Sequence, residues 1–262
     1  MIADALAGKR IAITGSTGFV GTALVERLLR GVPDCELVLL IRPSKRHDAT
    51  ERARREIFKN NAFDRLRSEL QQAGGESFDA MIERRVTAIA GDVSTDGLGL
   101  SDADRAVFGS CHTIIHSAAA VSFDSPLDLA VEINLLGPPR IADTLNSMNV
   151  TPHLVAVSTC YVAGNRRGNA PEALVSDGHW DIGLDWRKEV AATRRLRGDA
   201  EAASRLPEQL AKFRAEARSE LGAAGAPAPA GGRPRCRTGL QGIRLTAPEP
   251  RSHGPAPWIT QR

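Results

Sequence analysis

Residues 14–21 read Thr-Gly-Ser-Thr-Gly-Phe-Val-Gly, which places Gly15, Gly18 and Gly21 three apart. Glycines at that spacing let a chain turn tightly and bring backbone N–H groups against a phosphate, provided a helix begins directly after the turn. Ser16, Thr17, Phe19 and Val20 fill the same turn and are counted with it. A second stretch, Val-Ser-Thr-Cys-Tyr-Val-Ala-Gly at 157–164, holds a Ser-Thr pair and Tyr161, the only tyrosine among 262 residues. A hydroxyl pair beside a tyrosine raises the chemistry of a polarised carbonyl and a phenolic proton donor.

Both stretches need strands and helices to hold them. The β-branched run 9–14 leads into the glycine turn, and 19–31 then places apolar residues at helical spacing and stops at Gly31, so the pattern predicts strand, turn and helix. Further strands are expected at 35–42, 84–93, 112–119 and 153–159. Between them lie a charged amphipathic region over 48–75, a short helix near 102–109 and a helix near 127–148. Five strands alternating with helices predict an α/β fold, a doubly wound parallel sheet, because each parallel crossover needs a covering helix. The turn at 14–21 then lies where a dinucleotide's pyrophosphate would meet a helix N-terminus.

The end of the second strand selects the cofactor. Where an acidic residue would accept ribose hydroxyls, the sequence has Leu-Leu-Ile-Arg-Pro-Ser-Lys-Arg, so Arg42 is available to a 2′-phosphate and NADPH is favoured. Arg52 is either a second phosphate contact or part of a solvated face. Asp92 and Val93 end the third strand where an adenine would lie, and Asp92 either accepts from the adenine amino group or caps the next helix. Ala118 and Ala119 supply small side chains where the fourth strand passes the cofactor. His112 and His116 share one strand face and are expected to be packing residues rather than metal ligands.

Composition narrows the class. Of 34 basic and 31 acidic residues, six arginines and one glutamate lie beyond residue 224, which leaves 28 and 30 in the remainder and argues against nucleic acid as a partner. No apolar run approaches the roughly 18 residues of a membrane span, and no secretory leader precedes the first strand, so the chain reads as cytoplasmic. Cys35, Cys111, Cys160 and Cys236 form no C-x-x-C pair, and no metal site is expected. Residues 165–224 read as a helical insertion. Residues 225–262, with seven prolines and six glycines, read as disordered.

With these residues in view, the sequence resembles the extended short-chain dehydrogenase/reductases, in particular the fatty acyl-CoA reductase and thioester reductase branch. The resemblance rests on 13–29, 39–57, Gly-Asp-Val-Ser at 91–94, 112–138 and 157–164, and it covers roughly 9–222. It implies a Rossmann domain over 1–164 that binds NADPH. It also implies reduction of a fatty acyl-CoA or carrier-bound acyl thioester to an aldehyde, in some members onward to an alcohol. By the same resemblance Thr159 hydrogen-bonds the substrate carbonyl, whereas the proton donor is a tyrosine with a lysine four residues later. Tyr161 has Asn165 at that offset, and no Tyr-x-x-x-Lys occurs in the chain. Tyr161 is therefore expected to be a packing or substrate-wall residue.

The resemblance stops near Gly225, so the last strands and the substrate region are expected to be missing and the tail to be truncated or out of frame. The chain is then expected to be inactive. The alternatives are a non-catalytic nucleotide-binding remnant and an NAD-dependent epimerase or dehydratase.

Overall fold

In the computed structural model, the described residues are 2–122, 125–159, 168–169, 172 and 185–221. The chain divides into two units, 1–159 and 160–262. In the first, after a short helix α1 (Ile2–Leu6), strands β1 (Arg10–Thr14), β2 (Glu36–Ile41), β3 (Val86–Ala90), β4 (Thr113–His116) and β5 (His153–Ala156) form one parallel sheet in the order β3-β2-β1-β4-β5. The order reverses between β1 and β4, which opens a crevice at their carboxyl ends.

Alternation along the strands explains why their sequences are apolar throughout. Ile11, Ile13, Leu37, Leu39 and Ile41 face one core, and Ala12, Val38, Leu40 and Ile114 face the other. Both faces are covered, so neither can be polar. The first core is closed by Val25, Leu28 and Leu29 of α2 (Phe19–Gly31), with Phe63, Leu66 and Met81. Phe58, Phe63 and Phe78 meet edge to face there, with centroids 5.6 Å and 5.8 Å apart for successive pairs. The second core is closed by Phe108 of α6 (Asp102–Gly109) and by Ile141 and Leu145 of α8 (Gly137–Ser147).

The helix expected over 19–31 forms with those limits, as does the one near 102–109. The region 48–75 breaks into α3 (Ala49–Arg52), a π-helical run Ala53–Phe58, a 3₁₀ turn Asn61–Phe63 and α4 (Asp64–Ala73). Asn60 interrupts it by accepting the Ala62 N–H on its side-chain oxygen at 2.9 Å. The strand expected from residue 84 starts at Val86 instead, because Arg84 and Arg85 end helix α5 (Phe78–Arg85). That helix is signalled by its N-cap, Ser77, whose hydroxyl accepts the Ala80 N–H at 3.2 Å. Arg85 then turns inward and donates to the carbonyls of Leu29, Val32 and Cys35 at 2.7–2.9 Å, satisfying carbonyls at the end of α2 and in the connection to β2. The helix near 127–148 is likewise divided, as α7 (Leu127–Ala130), a π-helical run Val131–Leu135 and α8.

In the second unit the described residues form α9 (Trp186–Ser204) and α10 (Pro207–Leu221). Asp185 caps α9 by accepting from the N–H groups of Arg187 and Lys188 at 3.1 Å and 3.4 Å. Pro207 stands at the first position of α10, where its missing N–H costs nothing. No helix among the described residues is long and apolar enough to cross a membrane. The residues expected to form a tail, 225–262, lie outside the described residues.

Candidate functional site

The turn between β1 and α2 owes its shape to two close approaches. Gly15 has φ 73°, a region closed to most side chains, and a Cβ there would stand 2.5 Å from the Ala118 nitrogen. A Cβ on Gly21 would stand 2.2 Å from the Gly15 carbonyl oxygen, so α2 can begin this near the strand only if residue 21 is glycine. The Gly18 N–H donates to the Gly15 carbonyl at 3.0 Å, and the Thr22 hydroxyl donates to the Ser16 carbonyl at 3.0 Å. Gly18 is the N-cap of α2 and offers no side-chain acceptor, so first-turn N–H groups remain for a ligand. The Ser16 hydroxyl is buried without a hydrogen-bond partner among the described residues. A cradle that a Cβ would fill, an uncapped helix start and an orphaned buried hydroxyl together fit a pyrophosphate.

A cleft of about 400 Å³ opens over this turn. Its walls include Gly15, Ser16, Thr17, Gly18, Phe19, Val20 and Gly21 from the turn, Arg42 and Arg52 past β2, Asp92 and Val93 past β3, and Ala118 and Ala119 past β4. The lining runs from Thr14 to Ile133, so the fold brings to one place residues up to 119 positions apart in sequence. Its two ends differ in chemistry: Arg42, Arg52 and Asp92 make one end charged, and Val121, Ile133 and the alanines make the other apolar.

At the charged end, Asp92 accepts from the Ser94 N–H at 2.9 Å and hydroxyl at 2.7 Å through Oδ1, while its Oδ2 stands 3.8 Å from Arg42 Nη1. Its own N–H donates to the carbonyl of Leu98 at 2.8 Å. Leu98 is fully buried with a left-handed backbone, φ 59°, which anchors the loop after β3 against the second core. Arg52 is engaged by Glu56 through Nε and Nη2 at 2.7 Å and 2.6 Å, and it donates from Nη1 to the Arg42 carbonyl.

Several residues of the site escaped the sequence reading. Thr14 holds the end of β4: its carbonyl accepts from the Ser117 hydroxyl at 2.8 Å, and its hydroxyl accepts the Ala118 N–H at 3.3 Å and pairs with His116 Nδ1 at 2.7 Å. Asn134, inside the expected helix, accepts the Ala120 N–H at 2.8 Å and donates to the Ala120 carbonyl at 3.0 Å. An asparagine in a helix interior with apolar neighbours was the available signal, since that side chain favours bonding to nearby backbone. Thr159 is exposed and does not line the cleft, and Tyr161 lies outside the described residues.

His112 accepts the Arg10 N–H on Nδ1 at 3.2 Å, and His116 is buried under the glycine turn. Burial holds the His116 pKa below the usual histidine value. Neutral His116 satisfies the network, its Nδ1 accepting from Thr14 while Thr14 accepts from Ala118. The unfolded chain therefore binds the proton more readily, and stability should be full above about pH 6.5 and fall as pH drops below it. Urea unfolding at pH 8 and pH 5.5 should show this loss, and His116→Asn, which keeps an acceptor near Nδ1 without a titrating group, should reduce it. An unchanged pH dependence in that variant would assign the effect to other groups. The two described thiols offer no comparable chemistry: Cys35 is buried, and burial pushes Cys111 up to about 12.

Residues 13–218 match the family described as Male sterility protein. The chain is 33% identical over 170 residues to Probable fatty acyl-CoA reductase 5 of Arabidopsis thaliana, covering 64% of this chain and 34% of that protein. It is 35% identical over 162 residues to Putative fatty acyl-CoA reductase CG8306 of Drosophila melanogaster, covering 62% and 30%. Among solved structures, the terminal R domain from the myxalamid PKS-NRPS biosynthetic pathway is 26% identical with a TM-score of 0.45, covering 62% of this chain and 37% of that one. The chain spans about a third of the length of these relatives.

Proposed function

The chain belongs to the male sterility protein family, and from that premise we propose that it carries the NADPH-binding part of a reductase acting on fatty acyl-CoA or a carrier-bound acyl thioester. A nicotinamide dinucleotide as cofactor follows from the family; the choice of NADPH is the finer reading. The observation that carries it is the cleft itself. A phosphate-sized cradle with free N–H groups lies between an arginine-bearing end and an apolar end, at the carboxyl edge where the strand order reverses. A 2′-phosphate fits the Arg42 end, because Arg42 is 64% exposed and its partner Asp92 is only loosely engaged.

When bound, the cofactor supplies a hydride for the thioester carbonyl, with a thiol as leaving group and an aldehyde as product. Of the chain's own groups, the glycine turn orients the pyrophosphate, and Thr14 and Asn134 fix the backbone from Ser117 to Ala120 along the other wall. Thr159 is assigned to donate to the substrate oxygen by its place in the Ser-Thr pair after β5. Both relatives carry the name fatty acyl-CoA reductase, one as probable and one as putative, which supports the substrate class.

Fluorescence titration tests the cofactor reading. The chain should bind NADPH more tightly than NADH, and Arg42→Ala should remove most of that preference, since an arginine–phosphate contact contributes about 1.5–3 kcal/mol. Equal affinities in the parent chain would refute the assignment of NADPH.

A further inference from the structure

We propose that Arg52 is a positioning residue, which sets the backbone at Arg42 and leaves Arg42 alone of the two to read the 2′-phosphate. The proposal rests on the NADPH reading and gives the two arginines at the charged end of the cleft different tasks.

The Arg52 guanidinium is already committed. Two of its nitrogens grip both carboxylate oxygens of Glu56, and a third donates to the Arg42 carbonyl. Its side chain is 18% exposed. Planar, bidentate pairing of this kind is the geometry in which arginine is held most firmly by a carboxylate. A phosphate approaching Arg52 would have to displace Glu56 or lie beside its negative charge, and either outcome opposes binding. Glu51, the other carboxylate of this helix, is engaged by His47 and Arg55 at 2.8 Å and 3.0 Å. Among the described residues, Arg52 therefore pairs with Glu56 as its one carboxylate.

Arg42 is in the opposite condition. Among the described residues its guanidinium reaches only Asp92, at 3.8 Å, and Asp92 has its other oxygen occupied by Ser94. A phosphate can take Arg42 by displacing one loose contact. Whether Arg42 points into the cleft depends on its backbone, because β2 ends at Ile41 and Arg42 is the first residue beyond the sheet ladder. Pro43 follows, restricting Arg42 to extended conformations and providing no N–H to hold the chain there. The bond from Arg52 to the Arg42 carbonyl fastens this point from outside the strand. A π-helical run begins directly after Arg52, so Glu56 pairs with Arg52 from within that widened turn.

A double-mutant cycle on the ratio of NADH to NADPH dissociation constants tests the assignment. Arg52→Met should lower the ratio about three-fold or more through NADPH, in the range of coupling seen between residues of one hydrogen-bonded network. In an Arg42→Ala background the same substitution should leave the ratio unchanged, because its effect passes through Arg42. An equal fall in both backgrounds would make Arg52 a direct phosphate ligand and overturn the proposal. Equal weakening of NADPH and NADH, or no change, would overturn it as well.

Glu56→Gln gives an independent sign, useful if Arg52→Met fails to fold. It should lower the ratio by loosening Arg52, whereas a phosphate-binding Arg52 freed of its carboxylate would raise it. Failure of the NADPH reading is distinguishable, since it appears as a ratio near one in the parent chain, before any substitution.

Discussion

Gly15→Ala is expected to abolish NADPH binding and to cost about 2–5 kcal/mol of folding stability. Two terms combine. A residue with a β-carbon in the left-handed region costs about 1–2 kcal/mol, and forcing atoms into a packed contact adds about 1–3 kcal/mol. Both act at Gly15, where φ is 73° and the new carbon would lie 2.5 Å from the Ala118 nitrogen. The neighbour cannot yield cheaply, because it is backbone and is tied to the Thr14 hydroxyl. Movement of Ala118 would also shift the wall of the cleft opposite the turn.

Gly8 is the control. It has φ 63° with nothing within 4 Å of a Cβ, so Gly8→Ala carries the conformational cost without the clash. Urea denaturation should rank parent, Gly8→Ala and Gly15→Ala in descending stability, and only the last should fail to bind NADPH. If the two variants matched in stability and both retained the cofactor, the close approach of turn and fourth strand would not be what shapes the site.

The same contact shows what the sequence could and could not convey. The glycine spacing announced a tight turn, and the apolar runs announced strands covered on both sides, because these patterns follow from local sterics and burial. Arg42 and Asp92 were legible for a related reason: a residue just past a buried strand must emerge at the sheet edge. The Thr14–His116–Ala118 network was not, since it joins residues 102 and 104 positions apart whose types are unremarkable. Arg85 looked like part of a strand because two arginines before a β-branched run leave helix and strand equally open. The register of Ser77, about two turns upstream, decided for helix. The π-helical runs at Ala53–Phe58 and Val131–Leu135 left no periodic trace, as a single widened turn shifts the apolar stripe by less than a short helix reveals. Asn134 lies in the second of them and clamps Ala120, so the irregularity that hid it is also what brings it to the site.

Proton transfer leads to the second large effect: these 262 residues should bind NADPH and oxidise none of it with a long-chain acyl-CoA. The chain has one tyrosine, and the residue four positions after it is Asn165 rather than lysine. A tyrosine acts well as a general acid at neutral pH when a positioned ammonium lowers its pKa from about 10, and no lysine stands at the offset that supplies one. Loss of a positioned acid costs about 10²–10⁴-fold, and loss of an ammonium that would also orient the nicotinamide ribose adds to it. Thr159, exposed and away from the cleft lining, can polarise an oxygen but cannot replace the donor. Steady-state NADPH oxidation should therefore be at background in the parent chain, and Tyr161→Phe should change nothing, while NADPH titration of the same samples shows the cofactor bound. Turnover in the parent that vanished in the Phe variant would make Tyr161 the donor. Turnover that persisted in both would place the proton donor among groups other than tyrosine, and in either case the chain would be a reductase complete in its chemistry.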